Sequence, residues 1–270
     1  MPARPGLLEC IERYYAAAPL PDARMERVGA LAVPLTDPAW PYPARPAPER
    51  DTGVTVADVR AALALQESAG LPPALEWIQE CTPEVAAAAR GAGLAVEELP
   101  LLVADDQVEL LFPAGVRLYL VGAEDPELPH YLGVSAVAFA HPGGPADVPD
   151  AVPAAEPLST PGTAALRERI ASGRTVMMVA IEHGEPVAVG LHQPVDIGGA
   201  VVSEIIGLAT TPRLRGRGLG AGIATALVAH GRETADVVFM AAGDDDVARV
   251  YERTGFARVA TTGVAEPPAG

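Results

Sequence analysis

The hexapeptide Arg215-Gly216-Arg217-Gly218-Leu219-Gly220 stands between an apolar strand-like run, Val201 to Thr210, and an apolar helical run, Leu219 to Glu233. A strand that breaks on glycines straight into a helix commits this part of the chain to an α/β arrangement. Glycines let the backbone turn tightly and approach a ligand closely. The N–H groups of such a turn, gathered at the positive end of a helix, suit a pyrophosphate. Arg215 and Arg217 add positive charge there; a solvated Gly-rich turn is the plainer alternative. The spacing departs from other phosphate loops. No Gly-Lys-Ser/Thr follows, and Gly216-x-Gly218-x-Gly220 is not the dinucleotide pattern Gly-x-Gly-x-x-Gly.

Charge narrows the partners. The formal net charge is −16, and all 19 basic residues are Arg. An acidic surface repels phosphate backbones, so nucleic acid is not expected as a partner, whereas a cationic amine would be attracted. Without Lys there is no Schiff-base chemistry. Cys10 and Cys81 match no metal spacing and read as small hydrophobes. No metal is expected. There is no signal-peptide pattern and no uninterrupted apolar span, so a cytoplasmic protein without a membrane segment is expected.

The pattern predicts helices over Leu7 to Ala18, Val56 to Ala69, Thr163 to Ser172 and Val247 to Arg253, with another opened by Asp125-Pro126. Thr82-Pro83-Glu84 reads as a capped helix start ending near Gly91 to Gly93. Strands are predicted at Leu75 to Ile78, Leu99 to Val103, Val116 to Val121 and Val237 to Ala242. Thr175 to Ile181 and Pro186 to Leu191 read as a hairpin around His183-Gly184-Glu185. Pro34 to Pro48 reads as an extended loop, and residues 141–158 as a flexible Pro/Ala/Gly-rich connection.

A self-match appears when the first half is slid forward so that Val85 falls on Val247. Leu75-Glu76-Trp77-Ile78 then meets Val237-Val238-Phe239-Met240, and the Val56 helix meets the one from Gly218, without a gap. The expected fold is therefore α/β (α+β), with two similar modules, each a mixed, mainly antiparallel sheet flanked by helices. The division falls at Phe112-Pro113, giving modules 1–112 and 113–270.

Arg215-x-x-Gly218-x-Gly220 resembles the coenzyme A pyrophosphate motif of the GNAT acetyltransferase superfamily. Ala248-Arg249-Val250-Tyr251-Glu252-Arg253-Thr254-Gly255-Phe256 is similar to that family's second signature. The resemblance implies acetyl-CoA as co-substrate, held by Arg215, Gly216, Arg217, Gly218, Leu219, Gly220 and Ala221. It implies main-chain contacts from Leu208, Ala209 and Thr210 to the pantetheine arm. It also implies Tyr251 as the group that protonates the departing thiolate. Asp245 stands where family members often carry Asn, within an Asp244-Asp245-Asp246 run that could simply cap a helix. The first half has Gly53-Val54-Thr55-Val56-Ala57-Asp58 in place of the motif, so it reads as a degenerate copy. Only 14 residues follow Phe256, where members of the family finish with a longer strand pair, so the sheet edge is expected to be completed by the first half or by a second chain in a homodimer.

An attacking amine must lose a proton, and a leaving thiolate must gain one. Glu204 sits on the strand before the loop. Alternation would put it on one face with Ile206 and Leu208, where an apolar setting raises its pKa and suits it as base; an edge charge is the alternative. Direct transfer to an amine is expected, since no Cys lies near the loop. O-acyl transfer, decarboxylation and a non-catalytic coenzyme binder stay open. His192 could line an acceptor pocket; His183, His230 and the Trp40-Pro41-Tyr42 loop read as structural.

Overall fold

The computed structural model describes residues 4–105, 112–141 and 160–268. The connection expected at 141–158 lies outside them, except for His141. Helix α1 (Arg4–Ala17) precedes a small sheet of β1 (Arg24–Val28), β2 (Leu31–Leu35) and β3 (Arg45–Pro46). Next come α2 (Val56–Ser68), β4 (Leu75–Ile78), α3 (Val85–Ala92) and β5 (Ala95–Ala104). After β6 (Val116–Leu120), α4 (Leu128–Ala140) and α5 (Thr160–Ala171) run β7 (Val176–Glu182), β8 (Glu185–Asp196) and β9 (Val201–Thr210). The chain closes with α6 (Leu219–Gly231), β10 (Val237–Ala241), α7 (Asp245–Glu252) and β11 (Phe256–Glu266). From β1 to β5 the elements run β-β-β-α-β-α-β, and from β7 to β11 they repeat that order.

One sheet of 8 strands, in the order β4-β11-β5-β10-β9-β8-β7-β6, forms the frame. Every neighbouring pair is antiparallel except β9 and β10. The strands do not sort by half. β5 enters between β10 and β11, and β11 enters between β4 and β5. The segment after Phe256, short as it is, is a strand along almost its whole length, and it pairs with β5 from Phe256↔Ala104 to Glu266↔Ala95. The first half thus supplies β5 and β4, two of the three strands beyond β10, with β11 between them. A bridge between Ala44 and Leu75 joins the small sheet to β4.

Local chemistry explains most boundaries. His183-Gly184 makes a two-residue turn, both residues with positive φ, between β7 and β8. Asp244 caps α7 by accepting the Val247 N–H at 2.7 Å. The expected cap at Thr82 does not form. Its hydroxyl donates to the Ile78 carbonyl at 3.2 Å, and α3 begins only at Val85. Packing does the rest. α6 has Ile223 to Val228 all buried, so it lies in the core rather than along it. On the opposite face α1 packs Tyr14 and Tyr15 edge-on to Phe239, with centroids at 5.1 and 5.5 Å; each such pair adds about 0.5–1.5 kcal/mol beyond area burial. Among the described residues no helix is long and apolar enough to cross a membrane.

Candidate active site

β9 leaves the sheet through a short turn at Pro212–Leu214, and residues 215–218 lead into α6. Gly218 takes the N-cap position in the left-handed region, at φ +83°, which strains any residue with a side chain. No side chain caps the helix. The first intrahelical donor is Gly222, bonding to Gly218 at 2.9 Å, so the N–H groups of Leu219, Gly220 and Ala221 have no partner within the helix. A Cβ placed on Gly216 or Gly218 would meet nothing within 4 Å, so the approach is open. Gly220 is held close to β9; a Cβ there would lie 3.4 Å from Thr210 Oγ1.

The two arginines face their own chain. Arg215 donates to the His141 and Ala138 carbonyls at 2.7 and 2.8 Å, closing the C-terminus of α4. Arg217 grips Glu182 at 2.9 and 2.6 Å, which holds that carboxyl below the usual range. The open cradle is therefore made of main-chain donors, with both guanidinium groups bracing its rim.

A bulge interrupts β9. Val189 pairs with Ala209 and Leu191 with Ile206, so Gly207 and Leu208 together oppose Gly190. Gly207 absorbs the bend at φ +61°. The bulge reverses the alternation. Glu204 and Ile206 face α1 and α4, whereas Leu208 turns to α6, beside Ile223 and Leu227 at Gly190. The expected common face of Glu204, Ile206 and Leu208 thus fails at Leu208, because the extra residue shifts the pleat by one. The parallel pairing of β9 with β10 covers only Val202 to Glu204, ending at Phe239↔Glu204. Past that point β10 continues against β5 while β9 stays with β8, so the two strands splay. Leu208, Ala209 and Thr210 lie on this diverging edge, above the start of α6.

Glu204 marks the apex of the splay, and its surroundings come from the first half. Tyr15 donates its hydroxyl to Glu204 Oε1 at 3.2 Å. Tyr14 lies near enough to lower the pKa of Glu204 but makes no hydrogen bond of ordinary geometry. Arg45 stands over the Tyr15 ring, 3.3 Å from its centroid, and pairs with Glu76 at 2.7 Å. Burial, and next the Glu76 charge, push the Glu204 carboxyl up to about 8; Arg45 and the tyrosines pull the other way. Tyr14, Tyr15, Arg45 and Glu76 were not expected at the site. For Tyr14 and Tyr15 the only signal is the helix expected over Leu7 to Ala18; Arg45 on β3 and Glu76 on β4 carry none.

Tyr251 sits across the sheet, in the cluster that holds Leu219 and Phe256, with the Phe256 ring 5.9 Å away. Burial alone pushes its hydroxyl up to about 12. The sheet separates it from Glu204, and the splay is the passage between the two faces. Asp245 pairs with Arg258 at 2.7 Å. His192 does not line a pocket. It is 1% exposed, bonded to Ser203 at 2.8 Å and to His230 at 2.9 Å. Trp40 packs under Arg169, with Trp40 joining the cluster around α4 and α5. Cys10 and Cys81 are half-buried rather than enclosed. Among the described residues no group of three or more His, Cys, Asp or Glu could hold a metal ion.

A mixed sheet whose one parallel pair splays above an uncapped, glycine-rich helix start defines the class of the fold. The model of the acetyltransferase (GNAT) family matches residues 150–256. Solved structures agree over nearly the whole chain. A GCN5-related N-acetyltransferase from Kribbella flavida superposes with a TM-score of 0.66 at 23% identity, covering 96% of this chain and 95% of that one. A GNAT-family acetyltransferase structure from Novosphingobium aromaticivorans gives 0.57 at 18%, covering 96% and 97%. A tandem GNAT protein from the clavulanic acid biosynthesis pathway gives 0.52 at 19%, covering 90% and 80%. No curated protein matches the chain. The match to the acetyltransferase (GNAT) family thus falls on residues 150–256, and the fold of the described chain is that of the GNAT structures.

Proposed function

We propose that this protein transfers an acetyl group from acetyl-CoA to a primary amine by direct attack. The observation that carries the reading is the uncapped, open N-terminus of α6 at the foot of the β9/β10 splay. Main-chain N–H groups of residues 219–221 would hold the diphosphate, because a helix start offers them at no further cost in ordering. The free edge of Leu208, Ala209 and Thr210 would bond the pantetheine arm as a strand neighbour would. Bound acetyl-CoA supplies an activated acyl carbon and a thiolate leaving group.

The chain's residues handle the protons. Glu204 accepts one from the acceptor ammonium and passes it to solvent. The freed nitrogen forms the new N–C bond as the C–S bond breaks, and the second N–H proton leaves to solvent. Tyr251 donates to the departing sulfur and is reprotonated from solvent. The products are an amide and the free thiol. Residues 1–112 read as a second copy that kept the element order, lost the phosphate turn and now walls the acceptor side of residues 113–270.

Calorimetric titration with acetyl-CoA tests the binding half; absence of heat at high micromolar concentration would sink it. For the chemical half, Glu204→Gln should lower kcat by about 100- to 1,000-fold. The wild-type kcat/KM should rise with pH to a plateau above about 8, where Glu204 becomes a base. The variant should lose that limb. Tyr251, at about 12, stays protonated and should give no limb of its own in the usual range. Because the folded-state pKa of Glu204 is raised, its contribution favours folding below about 4.5 and is lost as pH climbs through 8. Glu204→Gln should therefore melt higher than wild type at pH 9.

A further inference from the structure

We propose that the acceptor is seated in the cavity enclosed by α1, β1, β2, β3 and β4, and that it is a small primary amine carried on a flat apolar body. This deepens the acyl-transfer reading and rests on it. The cavity measures about 80 Å³. A void needs only about 10–15 Å³ to admit one water, so this one takes a ring with a short arm. Its walls come entirely from the first 77 residues, the part of the chain that carries no coenzyme motif.

Tyr15 joins the cavity to the chemistry. It lines the space and donates its hydroxyl to Glu204. The cavity wall and the base are thus linked through one residue, with Tyr15 standing between the occupant and Glu204 at the apex of the splay. Chemistry selects the class of occupant. Tyr42, Trp77 and Met25 offer flat and polarizable surface. Two carboxylates, Glu12 and Glu76, line the space against one cation, Arg45. That cation is already committed: it pairs with Glu76 at 2.7 Å, lies over Tyr15 and is mostly buried, its side chain 16% exposed. The balance left for a ligand is negative, which favours an ammonium head with an aromatic face beside it. Prolines such as Pro34 and Pro46 stiffen the wall, so little ordering is lost on binding.

The probes are phenethylamine and its uncharged analogue 2-phenylethanol, titrated calorimetrically into the full-length protein without coenzyme. Phenethylamine should bind at least about tenfold more tightly than the alcohol, as expected for a partly desolvated cation–π and carboxylate contact. Met25→Trp, which fills the cavity, should weaken phenethylamine about tenfold or more and leave acetyl-CoA affinity within about twofold. Equal affinity for amine and alcohol, unchanged phenethylamine binding in Met25→Trp, or no phenethylamine binding at millimolar concentration overturns the proposal. Should Met25→Trp melt far below wild type, Glu12→Gln serves instead: it must weaken the amine and spare the alcohol, and equal effects on both overturn the site. Wild type that binds phenethylamine but not acetyl-CoA would end the acyl-transfer reading and keep the cavity as an amine site.

Discussion

α2 and α6 hold the same place in the repeated order of elements, after three strands and before a fourth, yet their first turns are built in opposite ways. α2 is self-sufficient. Thr55 Oγ1 accepts the Asp58 N–H at 3.2 Å, and Asp58 returns a carboxylate to the Thr55 N–H at 2.9 Å, a complete capping box. α6 has Gly218 at the same point, in a left-handed conformation, and no cap at all. A cap stabilises a helix by about 1 kcal/mol. α6 forgoes it and is held by burial of residues along its length. A helix start left uncapped and open to solvent, where its counterpart is sealed by its own carboxylate, is what a site for an external anion requires.

The largest expected effect comes from giving α6 what α2 has. Gly218→Asp places a carboxylate beside the free donors and a Cβ at φ +83°. Left-handed strain of about 1–2 kcal/mol, added to competition for the donors, should weaken acetyl-CoA binding about 100-fold. Gly70, past the end of α2, also has positive φ (+71°) and open space around it. Gly70→Asp should carry the strain without touching coenzyme affinity. If both variants bind acetyl-CoA like wild type, the α6 start is not the anion site.

The contrast also separates what was legible in the sequence from what was not. The glycine turn, β9 and α6 are local, and the spacing of Gly216, Gly218 and Gly220 announced them. The hairpin at His183-Gly184 was legible for the same reason. The floor of the site was not, because Tyr15 meets Glu204 across 189 residues of chain and no local pattern encodes that meeting. Interleaving of β5 and β11 was hidden too, since each half reads alone as an unfinished sheet. β1, Arg24-Met25-Glu26-Arg27-Val28, is polar, exposed at Arg24 and Arg27 and nowhere fully buried, so it carries little strand signal. The bulge had one clue, Gly207, and without its conformation the facing of Leu208 could only be misassigned. Arg215 and Arg217 were visible as charges, but their partners, the α4 carbonyls and Glu182, were not.

The far ends of the two helices differ as well, and this gives a second, smaller test. α2 is pinned by a neutral group: Gln66 donates to Ala74 O at 3.0 Å and accepts its N–H at 3.2 Å. α6 is pinned by His230 bonded to His192 at 2.9 Å. Burial, and then His230, push the His192 pKa down from 6.5 to about 4. Stability from this group is present above 6.5 and is lost as pH falls toward 4, because the unfolded chain takes the proton first. About 2 kcal/mol should be gone at pH 5 relative to pH 8. His192→Gln should flatten that slope in melting curves, and hydrogen exchange should locate the acid loosening in α6 and not in α2. An unchanged slope would remove His192 as its source.

The smallest effect tests the sealed end. Thr55→Ala and Asp58→Ala each remove one arm of the capping box, and each should cost about 1 kcal/mol in denaturant unfolding. The two losses should not add, since either substitution breaks the same reciprocal pair. Asp58 has a further duty: a Cβ on Gly29 would fall 1.8 Å from its Oδ1, so the carboxylate packs against the β1–β2 turn. Asp58→Asn, which keeps the shape and loses the charge, should then retain more stability than Asp58→Ala. None of these variants should alter acetyl-CoA affinity, because an uncapped α2 still lacks the glycine turn and the splayed strand edge that α6 has. A loss of coenzyme binding in Asp58→Ala at full folding would mean that the first half reaches the coenzyme after all, and that the two helix starts are not independent.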